Sequence, residues 1–275
     1  MWWDEGGEFQ MLHKMNPVRV QFVRDKLLEM RREEEDDASI NETRVLEDLN
    51  VLDVGCGGGL LCESLTRLGA NTLGIDASSS NISIASLHAS ADPILSPSPN
   101  GPSTSARKKR GTLQYQHTSV EDLLAQRGPK QFDVRLPNQL RPPRQTGGHL
   151  FLSTIARTPL AYLLTIFAAE DVLRMVAPGT HTYSKYINPH ELLGFFLKPQ
   201  SSPIAAVSEA PAQAPARPWI ARLYGGHPLR TEAETRGIIY LPWKGEWTLV
   251  PRGAPGAATW GEACNYLFWV RRPLE

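Results

Sequence analysis

Apolar residues cluster along this chain in short runs that alternate between two spacings. Val51-Leu52-Asp53-Val54 and Thr72-Leu73-Gly74-Ile75 are compact apolar runs bounded by turn residues, the mark of buried strands. Between them, the positions from Leu60 to Arg67 follow a helical period, and Gly69 is placed to end that helix. The same alternation continues downstream. Helical spacing recurs over residues 78–89, a third strand over Thr112–His117, and a short helix over Ser119–Leu124. A fourth strand begins at Phe132-Asp133-Val134, and a fifth covers His149–Ile155. The span Leu160–Met175 reads as a strongly apolar helix, and Gly237–Leu241 and Cys264–Val270 as two late strands. Upstream, Pro17 to about Arg32 is helical in pattern, with Val18, Phe22, Leu27 and Leu28 as its apolar positions and Pro17 in its first turn. Strands alternating with helices predict an α/β fold with a mostly parallel sheet. The two late strands extend it to seven, with an antiparallel edge strand.

The turn after the first strand carries the candidate chemistry. It reads Gly55-Cys56-Gly57-Gly58-Gly59, and Asp76 closes the second strand about 20 residues past Gly55. Glycines at 55, 57 and 59 permit positive φ and a close backbone approach to a ligand. An acid at the end of the second strand can accept hydrogen bonds from a ribose diol. The pattern is G-x-G-x-G, not the G-x-G-x-x-G of dinucleotide sites, and Asp53 lies just upstream. A carboxylate there repels a pyrophosphate and suits a cationic cofactor. S-adenosylmethionine has a ribose diol, a sulfonium and an ammonium, and no phosphate. The turn thus resembles the first motif of the class I methyltransferases, whose Rossmann-like fold matches the predicted alternation.

Composition narrows the reading further. The 275 residues suffice for one large α/β domain, and 41% are hydrophobic. Lys+Arg and Asp+Glu are 29 each, so no global field draws the chain to nucleic acid. A basic tetrad, Arg107–Arg110, ends a Ser/Pro/Asn-rich stretch and is read as a solvated loop before a nuclear signal or an anionic-surface contact. Cys56, Cys62 and Cys264 lack metal-ligand spacing and are expected as reduced thiols. No apolar run approaches the ~18 residues needed to span a bilayer, and Met1-Trp2-Trp3-Asp4-Glu5 reads as neither a signal nor a transit peptide. The expected organisation is an N-terminal arm and helix over 1–42, then a methyltransferase domain over 43–275. That domain holds a disordered insertion at 91–111 and a Pro/Ala/Ser-rich linker at 200–218.

Further segments carry a more specific resemblance. They are Trp2-Trp3-Asp4, Gly7-Glu8-Phe9, Leu12-His13-Lys14-Met15-Asn16-Pro17-Val18-Arg19 and Phe151-Leu152-Ser153-Thr154-Ile155-Ala156-Arg157. To these add Leu173-Arg174-Met175-Val176, Gly179-Thr180-His181 and Glu191-Leu192-Leu193-Gly194. Together they closely resemble the ubiquinone-biosynthesis O-methyltransferases, in particular a fungal mitochondrial member. The resemblance covers residues 1–90, 112–134 and 147–196, and more weakly 237–271. It implies S-adenosylmethionine as cofactor, held by Arg19, Gly55 and Asp76, with Asp53, Gly57 and Gly59 completing the site. It also implies a polyprenylated phenolic substrate, Mg²⁺, peripheral contact with the matrix side of the mitochondrial inner membrane, and a ubiquinone-biosynthesis protein complex as partner.

One segment departs from the family. Where the family carries an acidic, histidine-containing metal motif after strand four, this chain reads Arg135 to Thr146, twelve residues with three prolines and three arginines. No Glu or His lies between Asp133 and Gly148, so no metal ligand is assigned. The prolines Pro142-Pro143 forbid a helix there, and the strand-four region is expected to be abnormal or truncated. Hence two readings stand beside each other: an active O-methyltransferase of polyprenylated catechol-type intermediates, or a cofactor-binding remnant that serves as an assembly partner. A weaker third is a methyltransferase for another small phenol or a protein side chain. The catalytic base is unassigned; His13, His149, His181 and His190 are the candidates. On pattern alone, core packing is preferred for the apolar helix and for Trp243, Trp247, Trp260 and Trp269, over contact with lipid.

Overall fold

The structure is a computed structural model that describes residues 2–34, 42–95, 111–127, 132–137, 148–177, 179–197 and 232–271. Its centre is an eight-stranded sheet. The strands are β1 (Asn50–Val54), β2 (Asn71–Asp76), β3 (Leu113–His117), β4 (Val134–Pro137), β5 (His149–Ile155), β6 (Glu232–Leu241), β7 (Glu246–Leu249) and β8 (Asn265–Arg271). They lie in the order β3-β2-β1-β4-β5-β8-β6-β7. The first five are parallel, and β8 runs antiparallel between β5 and β6. The helices are α1 (Gln10–Glu34), α2 (Leu60–Arg67), α3 (Ser79–Ala91), α4 (Val120–Arg127), α5 (Pro159–Val172) and α6 (Pro189–Leu197).

The expected α/β alternation holds, with one strand more than the seven read from sequence. The addition is β7, which hairpins onto β6 and forms the antiparallel edge, leaving β8 inside the sheet. Its turn is Leu241-Pro242-Trp243-Lys244-Gly245. Gly245 adopts φ +70°, and its N–H donates to the Leu241 carbonyl at 2.8 Å. β6 also starts earlier than expected, at Glu232, and β4 reaches Pro137.

Side-chain alternation sorts the sheet's two faces. Val51, Phe151, Leu267 and Trp269 pack with Val18, Phe22, Val23, Leu27 and Met30 of α1 and Leu61 and Leu65 of α2. The neighbouring positions point the other way. Leu52, Val54, Leu73 and Ile75 meet Leu123 of α4, while Leu150, Leu152, Tyr266, Phe268 and Val270 meet Leu192 and Phe196 of α6. Asp53, an odd-numbered position on β1, therefore lies on the α1/α2 face.

Two helices differ from the sequence reading. α1 begins at Gln10, not Pro17, and carries Pro17 in its interior. A proline there deprives the His13 carbonyl of its partner and costs stability; the five buried apolar side chains of α1 and the Asn16 amide, which donates to the Leu60 carbonyl at 3.1 Å and Ser64 Oγ at 2.9 Å, offset it. Residues 10–17 thus belong to the helix, and the arm shrinks to residues 2–9. α5 opens as an ordinary helix at Pro159–Ala161, capped by the Thr158 hydroxyl, and widens into a π-helix over Tyr162–Val172. Core packing, preferred for this segment from its pattern, is not what forms. Leu160, Tyr162, Leu163, Leu164, Phe167, Val172 and Leu173 are each between 44% and 63% exposed. Trp243 and Trp260 are exposed as well, whereas Trp269 is buried and Trp247 half-buried. Most of the insertion (96–110), the linker (200–218) and residues 138–147, including Pro142-Pro143, lie outside the described residues. No described helix is long and apolar enough to cross a membrane.

Candidate active site

The C-terminal ends of β1 and β2 form the site. After Val54 the chain turns through Gly55, Gly57 and Gly59 with φ of +74°, +56° and +88°. Such angles are open to glycine and strained for other residues. The turn is tied to β2 where the Gly55 and Cys56 N–H groups donate to the Ile75 carbonyl at 2.8 and 3.0 Å. At Gly59 a side chain would also lack space: a Cβ would meet the Tyr115 hydroxyl at 2.2 Å. Tyr115, on β3, supports the turn from below.

Asp76 anchors the opposite wall. Its Oδ2 accepts the Gly57 N–H at 2.9 Å, and its Oδ1 accepts the Ser78 N–H at 2.8 Å and the Asn81 amide at 3.3 Å. Ser78 caps α3, so the acid and the helix start are positioned together.

Asp53 and Arg19 supply opposite charges on the α1/α2 face. Asp53 is buried and accepts the Cys62 thiol proton at 3.1 Å. Burial pushes its pKa up, while Arg19 and the Cys62 thiol pull it back. Burial likewise lowers the Arg19 pKa, against the pull of Asp53. Arg19 feels that carboxylate without touching it, and among the described residues its guanidinium makes no hydrogen bond or ion pair. The six residues expected from sequence, Arg19, Asp53, Gly55, Gly57, Gly59 and Asp76, lie around the ends of β1 and β2: Asp76 bonds Gly57, and Asp53 feels the charges of both Arg19 and Asp76.

The structure adds residues that the sequence did not single out. Trp2 lies across Gly57 and Gly58, and its indole N–H donates to Asn81 Oδ1 at 3.1 Å. Trp3 donates to the Gly58 carbonyl at 3.0 Å and stacks on His88 with ring centroids 3.5 Å apart. His88 in turn reaches the fully buried Glu63 at 2.7 Å, which also holds Arg67 at 2.9 Å. The Trp2-Trp3 pair was visible only as a family signature, because its partners are far along the chain.

The histidine candidates are engaged elsewhere. His13 Nε2 lies 2.7 Å from the Trp2 carbonyl, which requires it to donate. His149 Nδ1 accepts the Trp269 indole N–H at 3.0 Å, and burial, aided by Arg271 and Lys26, lowers its pKa to about 3. His181 Nδ1 lies 2.6 Å from Glu170. Glu170 also accepts the backbone N–H groups of Gly179 and His181 at 2.7 Å each, clasping that loop to α5. His190 is exposed at the start of α6. Among the described residues no three His, Cys, Asp or Glu side chains converge as a metal site.

A parallel sheet with a G-x-G-x-G turn after β1, an acid at the end of β2 and an antiparallel strand beside β5 is the arrangement of a class I methyltransferase. A family model described as a methyltransferase domain matches residues 11–134. Curated relatives narrow the class. The mitochondrial ubiquinone biosynthesis O-methyltransferase of Schizosaccharomyces pombe is 34% identical, with 100% of this chain and 82% of that protein covered. The ubiquinone biosynthesis O-methyltransferase of Brucella ovis is 37% identical over 72% of this chain and 75% of its own length. The mitochondrial mouse relative is 34% identical over 90% of this chain and 57% of its own length. Among solved structures, magnesium protoporphyrin IX methyltransferase from Synechocystis is a loose likeness at 16% identity and TM-score 0.45, over 98% and 90% of the two chains. The chain belongs to the ubiquinone biosynthesis O-methyltransferases, S-adenosylmethionine-dependent enzymes.

Proposed function

We propose that this chain methylates a ring hydroxyl of a polyprenylated catechol-type intermediate of ubiquinone biosynthesis. The observation that carries the reading is the pairing, in one cleft, of a diol acceptor with opposed charges. Asp76, bonded to Gly57, offers carboxylate oxygens to a ribose diol. Asp53 and Arg19 suit the ammonium and carboxylate of an amino-acid end, and Gly55, Gly57 and Gly59 let the backbone come close. Held by these residues, S-adenosylmethionine would supply an electrophilic methyl group for transfer to a ring hydroxyl of the substrate. The chain's part is to hold donor and acceptor in line and to keep water out.

A phenolic hydroxyl has a pKa of about 10, so the proton needs an acceptor. No residue of this chain is assigned that role. The family resemblance implies Mg²⁺, but the residues present do not fit it: the stretch from Val134 to Gly147 contains no Asp, Glu, His or Cys, and no ligand set converges among the described residues. No step is routed through a metal. The main reading is preferred over the remnant because the relatives span the chain at 34% to 37% identity.

The exposed apolar row on α5 favours contact with a lipid surface, where a polyprenyl substrate resides. The mitochondrial names of the yeast and mouse relatives support a mitochondrial location; its proposed place on the matrix side of the inner membrane, beside other ubiquinone-biosynthesis proteins, rests on the family resemblance. Titration calorimetry with S-adenosylmethionine, followed by a methylation assay on a catechol with and without chelator, tests the reading. Binding with turnover supports it; binding without turnover, with either metal condition, establishes the remnant instead.

A further inference from the structure

The arm formed by residues 2–9 occupies the cleft just described. A Cβ built on Gly57 would meet Trp2 Cη2 at 2.4 Å, and one on Gly58 would meet Trp2 Cβ at 2.5 Å. The indole thus lies in contact with both glycines, and no layer of ligand atoms, which needs ~3.5 Å on each side, fits between. Its N–H donates to Asn81 Oδ1, and the Asn81 amide donates to Asp76 Oδ1. A flat aromatic system with an N–H donor rests on the glycine turn and reads the Asn81–Asp76 pair. Those are the features a nucleoside would present to the same surface.

The arm is held there by contacts that do not involve the cleft. Phe9 stacks on Trp2, ring centroids 3.8 Å apart and planes 6° from parallel. Trp3 stacks on His88, and His13 binds the Trp2 carbonyl.

We infer that Trp2 is an intramolecular occupant of the nucleoside seat, competing with the cofactor for Gly57, Gly58 and Asn81. The inference rests on the cofactor reading given above, and it adds Asn81 to the residues that meet the nucleoside once the indole leaves. Cofactor binding then requires the arm to swing out, and the apparent affinity is lowered by the fraction of molecules whose cleft is open. A cleft open about one-tenth of the time would bind about tenfold more weakly than one without the arm.

The test compares the full-length wild type, Trp2→Ala and Trp2→Phe by titration calorimetry with S-adenosylhomocysteine, alongside hydrogen exchange of the Gly57 and Gly58 amides without ligand. The expected result is that Trp2→Ala binds at least about fivefold more tightly and exchanges both amides faster. Trp2→Phe, which keeps a ring and loses the bond to Asn81, falls between. Equal or weaker binding by Trp2→Ala overturns the inference, making the indole a roof for the cofactor or irrelevant to it. Unchanged exchange in Trp2→Ala also overturns it, because the arm would then not be seated in solution. Failure of both wild type and Trp2→Ala to bind is a separate outcome: it removes the cofactor reading, and with it the competitor.

Discussion

Asp76 is the residue on which the cleft turns. Its two oxygens bind the glycine turn and the start of α3 at once, so its loss loosens both walls and takes away the proposed ribose acceptor. Asp76→Ala is expected to abolish binding of S-adenosylhomocysteine in calorimetry; retained affinity would refute the assignment. His149 makes a second prediction, of pH dependence. Its folded pKa of about 3 lies below the unfolded value of about 6.5. Between those limits the unfolded chain binds a proton that the native chain excludes, so stability falls as pH drops through that window. The slope is at most about 1.4 kcal/mol per pH unit for one proton. Urea unfolding of His149→Gln, which keeps an acceptor for Trp269 without a titrating ring, should flatten this acid limb. The glycine turn and the place of Asp76 at the end of β2 were legible in sequence because local spacing sets their geometry. Trp2 and Asn81 were not, since their meeting depends on contacts across 79 positions and no local pattern encodes it.

At the scale of elements, α2 and β5 were legible to the residue: amphipathic spacing ended by Gly69 gives one, and a bounded apolar run the other. The start of α1 was misread because Pro17 suits a first turn, while packing of Met15 and Asn16 carries the helix past it. Pro17→Ala restores the missing backbone bond and removes the ring clash, so it should raise stability by about 1–3 kcal/mol in chemical denaturation. β7 was missed because its four residues give too little alternation to mark a strand. α5 shows the limit of pattern reading: hydrophobicity alone does not say whether a face meets protein or lipid. If its exposed row meets lipid, the double substitution Leu163→Glu with Phe167→Glu should lose most binding to anionic phospholipid vesicles in co-sedimentation. Thermal stability should stay within about 0.5 kcal/mol of wild type, as expected for exposed positions. Unchanged sedimentation would refute the lipid contact.

Across the molecule, α1 connects the cofactor cleft to the antiparallel half of the sheet. Near its middle it presents Arg19 to the β1 face. One helical stretch further on, buried Lys26 bonds Glu234 of β6 at 2.6 Å and lies 4.2 Å from the Trp269 ring of β8. Glu234 keeps Arg252 as a second partner, so Lys26→Ala is expected to cost about 2–3 kcal/mol in urea unfolding, below the range for a fully orphaned buried charge. Lys26→Met, which refills the volume, should cost less. Nothing in the sequence linked Lys26 to Glu234, because the register of β6 against α1 is set by packing of the whole sheet.

Docking of that helix also governs the electrical character of the cleft. Asp53 sits away from water, and the nearby guanidinium offsets the cost of keeping it ionised. Were Arg19 replaced by a neutral side chain with α1 still docked, the acid would lose its counterweight while staying buried, and would take up a proton more readily. The attraction for a cation would fade with it, so the charge of that carboxylate is tied to a single side chain carried by α1.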